Sequence, residues 1–482
     1  LSQCPKSDTA SFVKSFDSVV RVFVTHQAPN HDAPWQAANP RKGTGSGVVL
    51  SGGRILTGAH VVSDATFIQV QRSGSPEKVQ ASIVALCHDH DLALLRLENN
   101  AYLDGVEPAE LGELPSLRSP VQVVGFPVGG SEISVTEGVV SRVEIQEYQH
   151  SRRDFIAITV DAAVNRGNSG GPVFFEDRVI GLAFQSRNDA ENVGEVVPSM
   201  FVQRFLRCVD EGRSPAVPSW GFVAWPLINE MQRELLKMAP GETGVLVSLV
   251  RHGVACSDHL RVRDIITHVD GYEIANDATI LFAQRHRMTF NAVLGEKTLN
   301  DTTEFVVRRD GREVTIVVPM ISTRMLVDRQ TTGLAPRYLV FGGLVFQPVD
   351  LNFIWTWNTF KDAPAALQHL YLFGIPSPEF SERIVIAQVL SDPLNIGFED
   401  RTNHLVETVN GEPPRDLEHF AAMIDGANGP LDIVTNERAI LLLDPARCRA
   451  ANARIQERYR IPKDRSEHLT RTEVMPSASS PL

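Results

Sequence analysis

The feature that most limits the possible folds is a run of short apolar strands between residues 18 and 197. Val/Ile-rich stretches at 19–24, 47–50, 79–85, 92–97, 121–125, 133–145, 155–160 and 179–184 alternate with Gly, Pro, Ser and Asp turns. Strands this short and this often interrupted leave no room for the crossover helices of a βαβ sheet. The pattern therefore predicts a sandwich or barrels. Pro198-Ser199 then offers a helix start, and Phe201, Val202, Phe205, Leu206 and Val209 recur at helical spacing. The helix is expected to stop near Gly212, and the stretch Ser214-Pro215-Ala216-Val217-Pro218-Ser219 reads as a stiff linker.

At 482 residues the chain should hold about three domains, at roughly 150 residues each. Its 46 Lys+Arg against 58 Asp+Glu leave a net charge of -12, which argues against a nucleic-acid partner. The longest apolar stretch, 339–357, is broken by Gln347, Pro348, Asp350 and Asn352, so no membrane-spanning helix is expected. Cys4, Cys87, Cys208, Cys256 and Cys448 are odd in number and form no C-x-x-C. They read as reduced, buried thiols of an intracellular protein rather than a disulfide framework or a zinc site. His88-Asp89-His90-Asp91 would place two imidazoles on one face of a strand, but no further ligand cluster lies nearby. It is read as a solvated approach to a strand, and no metal is expected. The absence of a Gly-x-x-x-x-Gly-Lys-Ser/Thr loop implies no nucleotide cofactor.

Beyond the linker the chain repeats. Gly221-Phe222-Val223-Ala224-Trp225-Pro226-Leu227 resembles the segment from Gly343 to Val349, residues 245–250 resemble 385–390, and Val269-Asp270-Gly271 resembles Val409-Asn410-Gly411. The spacing between the first two matches differs, so the second copy should carry an insertion holding Trp355 and Trp357. Two related small domains are expected. The first should close on a hairpin turned at Asp310-Gly311.

The chemistry concentrates at Asn165-Arg166-Gly167-Asn168-Ser169-Gly170-Gly171-Pro172. A nucleophilic hydroxyl needs small neighbours so that a carbonyl can approach. Glycine also opens backbone angles closed to other residues, so that loop N–H groups can face a developing oxyanion. The serine needs a base, and Thr57-Gly58-Ala59-His60 places His60 just after an apolar strand. The imidazole needs a carboxylate to hold its tautomer, and Asp91 stands just ahead of Leu92-Ala93-Leu94-Leu95. Each motif alone has a bland reading: a glycine turn, a core histidine, a strand cap. All three in the order His, Asp, Ser on an all-β stretch point to a double β-barrel serine protease.

These motifs, with residues 43–50, Val123-Val124-Gly125-Phe126-Pro127 and 134–142, resemble the signature segments of the HtrA/Deg family of ATP-independent serine endopeptidases. The likeness is greatest to the plant Deg-type branch, which has one protease domain and two PDZ domains. The resemblance implies a mainly β chain, with a chymotrypsin-like double β-barrel over 11–212. PDZ domain 1 would cover 219–322, a PDZ-like domain 2 with its insertion 333–448, and a polar tail 449–482. It implies His60 as base, Asp91 as its orienter and Ser169 as nucleophile, with Gly167, Asn168 and Ser169 around the oxyanion hole. The primary pocket would be based at Ala163 and walled by Ala183, Phe184 and Gln185, accepting small or medium apolar side chains with broad preference. Arg166 departs from the family pattern and would favour acidic residues near the cut. In the first PDZ copy, Thr243, Gly244, Val245, Leu246 and Val247 would supply turn and edge strand, with Phe290 and Leu294 lining the groove. Substrates would be unfolded or damaged proteins or peptides. Partners would be further copies in a trimer-based homo-oligomer, with Trp355 and Trp357 suited to a subunit contact, and the location an organelle (chloroplast or mitochondrion) or the nucleus. The rival is a catalytically idle PDZ scaffold or holdase chaperone.

Overall fold

A computed structural model describes residues 16–469 apart from 129, 131, 149–152, 166, 187–192, 252–254, 322–324 and 328–332. The chain is mainly β and divides into two compact units. Residues 39–323 and the chain before residue 29 form the first, and 29–38 with 324 onward form the second.

In the first unit β1 (Val19–His26), β2 (Arg41–Leu50), β3 (Arg54–Thr57), β4 (Ala65–Arg72), β5 (Val79–Cys87) and β6 (Leu92–Leu97) close into a barrel in the order β1-β2-β3-β6-β5-β4. Successive strand residues face opposite ways, so Val20, Val22, Val24, Val49, Ile55 and Leu95 fill the barrel. The alternate residues Val48, Leu56, Leu92 and Leu94 instead join the core of a second barrel. This double burial is why β6 reads as an almost unbroken apolar run. The second barrel is built from β7 (Pro120–Gly125), β8 (Ser134–Tyr148), β9 (Arg153–Val160), β10 (Pro172–Phe175), β11 (Arg178–Ser186) and β12 (Gly194–Pro198), in the order β10-β11-β12-β9-β8-β7. Strand β4 escaped the sequence reading because its Ala-Thr-Phe-Ile-Gln-Val-Gln-Arg has one exposed, polar face.

The helix Ser199–Asp210 begins where expected and buries Phe201, Val202 and Phe205; after it the chain passes through the linker into the first repeat. Arg204 binds that junction together, its guanidinium donating to the carbonyls of Lys297, Pro215 and Ala216. The first repeat holds a sheet of β13 (Phe222–Pro226), β14 (Val245–Val250), β15 (Ile265–Val269), β16 (Tyr272–Glu273), β19 (Thr302–Arg309) and β20 (Arg312–Pro319). A small hairpin of β17 (Thr279–Phe282) and β18 (His286–Thr289) stands apart. The expected turn at Asp310-Gly311 is present, with φ +51° and +78°.

The second unit contains β21 (Leu339–Phe341), β22 (Leu344–Pro348) and β23 (Ile384–Val389) in one sheet, and β24 (Val406–Val409), β25 (Leu431–Thr435) and β26 (Ile440–Leu443) in another. The insertion between β22 and β23 carries the helices Leu351–Ile354 and Ala365–Phe373. Trp357 meets Phe353 edge-on at 5.4 Å, while Trp355 is 38% exposed. The tail expected from 449, polar and helical at first, does begin as a helix, Pro445–Tyr459, but this helix packs into the unit, burying Cys448, Ala451 and Ile455. Leu339 bridges to Arg465, and the N–H of Val340 donates to the Asp464 carbonyl at 2.6 Å. The folded unit therefore includes the described residues up to 469, and the helix reads as tail-like because its exposed face is so heavily charged. Residues 29–38, although inserted between two strands of the first barrel, belong here. Trp35 packs on Tyr338 at 6.0 Å, and Gln347 donates to the His31 carbonyl at 3.0 Å.

Candidate active site

Two turns of the first barrel hold the imidazole and the carboxylate. Thr57 ends β3, and the next residues curl so that Val61 donates back to the Gly58 carbonyl. Asp91 follows a short 3-10 turn, His88–His90, and adopts φ +54° before β6 begins. This corrects the expected strand approach: His90 is buried and stacked on Phe201 at 4.1 Å, and Asp89 pairs with Arg153 at 2.7 Å. Asp91 grips His60 twice. One oxygen accepts from the His60 main-chain N–H at 2.8 Å, the other meets Nδ1 at 2.7 Å. Burial opposes protonation of His60, but the adjoining Asp91 charge and hydrogen bond prevail and hold its pKa above the ordinary value. Burial likewise opposes ionisation of Asp91. The His60 charge and hydrogen bonds from His60 and Tyr148 keep its carboxyl below the usual range.

Tyr148, at the end of β8 in the second barrel, is the residue that sequence reasoning missed. It is buried and meets Phe155 and Phe184 edge-on at 6.0 and 5.3 Å. Burial and the neighbouring Asp91 push its phenol well above the normal range, so it stays a hydrogen-bond donor to that carboxylate. No local motif announces it, because its partner lies 57 residues away in the other barrel.

The Ser169 loop belongs to the second barrel and is tied to the first. The N–H of Asn168 donates to the Asn165 carbonyl at 2.9 Å, closing a four-residue turn whose third residue, Gly167, has φ +100°. Positive φ at that position is what a type II turn requires. A Cβ at Gly167 would come within 2.4 Å of the Phe126 carbonyl, so only glycine fits. Ser46 of β2 locks the arrangement. Its Oγ donates to the Gly167 carbonyl and accepts from the Phe126 N–H, both at 2.8 Å, and its N–H donates to the Ser169 carbonyl at 2.9 Å. A Cβ at Gly170 would lie 2.4 Å from Thr57 Oγ1 and 2.7 Å from the Gly58 N. The loop thus abuts the turn that carries His60, while Cβ of Gly58 would reach both the His60 ring and Asp91. Ser46 too was missed, although it stands in the quoted 43–50 segment.

Several expectations need correction. Asn168 offers no N–H to an oxyanion, because that group is engaged with Asn165; the N–H groups of Gly167 and Ser169 make no backbone bond among the described residues. Phe184 points away from a pocket, into the ring cluster with Tyr148 and Phe155. Ala183 lies on β11, where its carbonyl accepts from Gly170 at 2.7 Å and its N–H donates to Gly171 at 2.9 Å. Ala163 is half-buried. The Gln185 side chain and the whole of Arg166 lie outside the described residues.

The groove assigned to the first repeat also differs. Strand β14, with Val245, Leu246 and Val247, is an inner strand between β13 and β15, so its edges are already paired. Thr243 bonds Glu273 at 3.2 Å, and the Gly244 N–H is taken by Asn276 at 3.2 Å. The edge strand is β13. Phe290 is core, stacked with Trp220 at 6.0 Å and Phe222 at 6.5 Å. Leu294 packs half-buried beside it on a 3-10 turn rather than an α-helix.

Among the described residues no group of three or more His, Cys, Asp or Glu could hold a metal ion, and no helix is long and apolar enough to cross a membrane. Cys87, Cys208, Cys256 and Cys448 are free and buried, with the Cys87 thiol pushed up to about 12 by burial and by Asp89.

Comparison with known proteins adds the following. Residues 45–182 match the trypsin-like peptidase domain, and residues 327–468 match the PDZ domain. Protease Do-like 2, chloroplastic, of Arabidopsis thaliana is 35% identical over 98% of this chain and 78% of its own length. Protease Do-like 4, mitochondrial, from the same plant is 34% identical over 92% and 84%. A solved variant of the HtrA-type protease AlgW with a decapeptide shares the fold at 18% identity and a TM-score of 0.51, over 67% of this chain and 97% of that one.

Proposed function

Since the chain belongs to the HtrA/Deg (Do-like) family of trypsin-like serine proteases with PDZ domains, we propose that it is an active, ATP-independent serine endopeptidase acting on unfolded proteins and peptides. The observation that carries this reading is the doubly held His60–Asp91 pair set against a Ser169 loop in which, among the described residues, the N–H groups of Gly167 and Ser169 make no backbone bond. His60 takes the Ser169 hydroxyl proton as the oxygen attacks the substrate carbonyl. The two N–H groups receive the oxyanion, and His60 returns the proton to the leaving amine. Asp91 orients the ring and balances its positive charge; it does not itself take the proton. Water then releases the acyl group by the same steps in reverse.

The two α+β domains are read as two PDZ domains of the plant Deg type. In the first, Phe290 is buried against Trp220 and Phe222 rather than lining an open groove, which suits a buttress of the protease more than a peptide clamp. Self-association into a trimer-based oligomer, with Trp355 on its surface as one contact, belongs to the same reading. An organelle location is favoured over the nucleus by the mitochondrial and chloroplastic relatives.

A fluorophosphonate should label wild-type protein at Ser169, casein should be digested, and both should vanish in Ser169→Ala, with light scattering giving the mass. A protein that binds unfolded casein yet is neither labelled nor active under any condition would instead be the idle scaffold or holdase.

A further inference from the structure

One concavity of the first barrel is left unused by the chemistry above. A recess of about 560 Å³ is lined by Arg21, Phe23, Lys42, Phe67, Lys78 and Val128, together with the main chain near Gly43 and Thr44. None of its lining residues is acidic, in a chain whose net charge is -12. Lys78 Nζ sits 3.6 Å from the centroid of the Phe23 ring, and the Arg21 guanidinium carbon 4.9 Å from it. The ring thus holds two cations at the wall of an apolar floor. Phe67 and Val128 stay 43% and 66% exposed.

The recess adjoins the nucleophile on two sides. Strand β2 runs from Lys42 and Thr44 to Ser46, whose N–H holds the Ser169 carbonyl. At about 3.3 Å per residue, Thr44 is roughly 7 Å from Ser46 along the strand. On the other side, a Cβ at Gly167 would lie 2.7 Å from the main-chain N of Val128. The opposite flank of the loop is bonded to Ala183 of β11, the strand expected beside the acyl-side pocket. A polypeptide crossing Ser169 with its acyl half along β11 therefore sends its leaving half toward the recess.

We infer that this recess is a leaving-group-side subsite for acidic side chains. Resting on the protease reading, it assigns the substrate class as polypeptides with Glu or Asp two to four residues after the cut bond, next to an apolar side chain. The apolar floor takes the latter and the three cations take the carboxylates. Arg166 plays no part in the inference.

The test uses full-length protein and paired peptides that differ only in Glu or Gln at those positions. Rates are divided by the concentration of fluorophosphonate-titrated Ser169. Exposed ion pairs contribute modestly, so wild type should prefer the Glu peptide about five- to ten-fold in kcat/KM at low salt. The ratio should fall toward one in 0.5 M salt and in the triple variant Arg21→Gln, Lys42→Gln, Lys78→Gln. Equal cleavage of both peptides by wild type overturns the inference and leaves the protease reading standing. A preference that survives the triple variant overturns it as well. A triple variant with altered mass and an unchanged ratio makes the face a contact between copies. Neither cleavage nor labelling in wild type brings down both readings.

Discussion

The two barrels share a six-strand closed order, yet they furnish the site differently. The first presents His60 and Asp91 from short turns, where main-chain and side-chain bonds to one carboxylate fix both groups. The second presents Ser169 from a glycine-rich loop that is bonded both within itself and to Ser46 of the first barrel. Each barrel also braces what the other displays. Ser46 of the first clamps Gly167 and Ser169, and Tyr148 of the second supports Asp91. The difference teaches that the candidate site is a property of the seam: neither barrel carries His60, Asp91 and Ser169 together.

Asp91→Asn attacks the seam at its centre. With the imidazole tautomer no longer held, kcat should fall about 10⁴-fold while far-UV circular dichroism is unchanged. A loss of less than ten-fold would show that Ser169 acts without this pair. Gly167→Ala comes next. Its Cβ would strike the Phe126 carbonyl at 2.4 Å, so the turn must move and take an oxyanion donor with it. Peptide cleavage should drop roughly 100- to 1000-fold, the range for losing one such donor. Ser46→Ala removes a hydroxyl that serves two buried main-chain groups. Since each group left unpaired costs about 1–3 kcal/mol, both the melting temperature and kcat should fall, kcat by tens-fold. Normal activity would mean that the loop keeps its turn without the first barrel.

Tyr148→Phe keeps the ring packing and deletes only the hydroxyl. We expect about a ten-fold loss in kcat, the scale of one hydrogen bond to a charged group, with KM little changed. The carboxylate charge would then fall more heavily on His60, so the acid limb of the pH profile should move upward. An unmoved limb would reduce Tyr148 to packing. The smallest effect concerns wild type itself. His60 must be neutral to act as base, and its pKa is raised by Asp91. Activity should therefore rise with pH through a midpoint above about 6.5, the ordinary histidine value.

His60, Asp91 and Ser169 could be singled out as candidates because the chemistry proposed for them demands particular neighbours: glycines where a carbonyl must approach, a buried apolar strand beside the acid. Tyr148 and Ser46 carry no such mark, since their partners come from the other barrel. The first repeat shows the converse error. Residues 245–247 look like a free edge strand, but strand order is decided by pairing, and β13 takes the edge. Phe290 and Leu294 have helical spacing, yet the segment winds as a 3-10 turn, with Phe290 packed against both Trp220 and Phe222. Likewise His88–His90 alternates like a strand, but the stack of His90 on Phe201 is a contact between distant segments.

Period-two burial and glycine-permitted turns are local demands, so the linear chain by itself determined an all-β region of many short strands, the repeat that follows it, and the candidates for nucleophile, base and carboxylate. Only tertiary structure decided which loop N–H groups stay open, which barrel supports which side chain, which strand lies at the edge, and that residues 29–38 join the second unit. Those outcomes depend on hydrogen bonds and ring contacts between segments far apart in sequence, where no spacing rule records the partner.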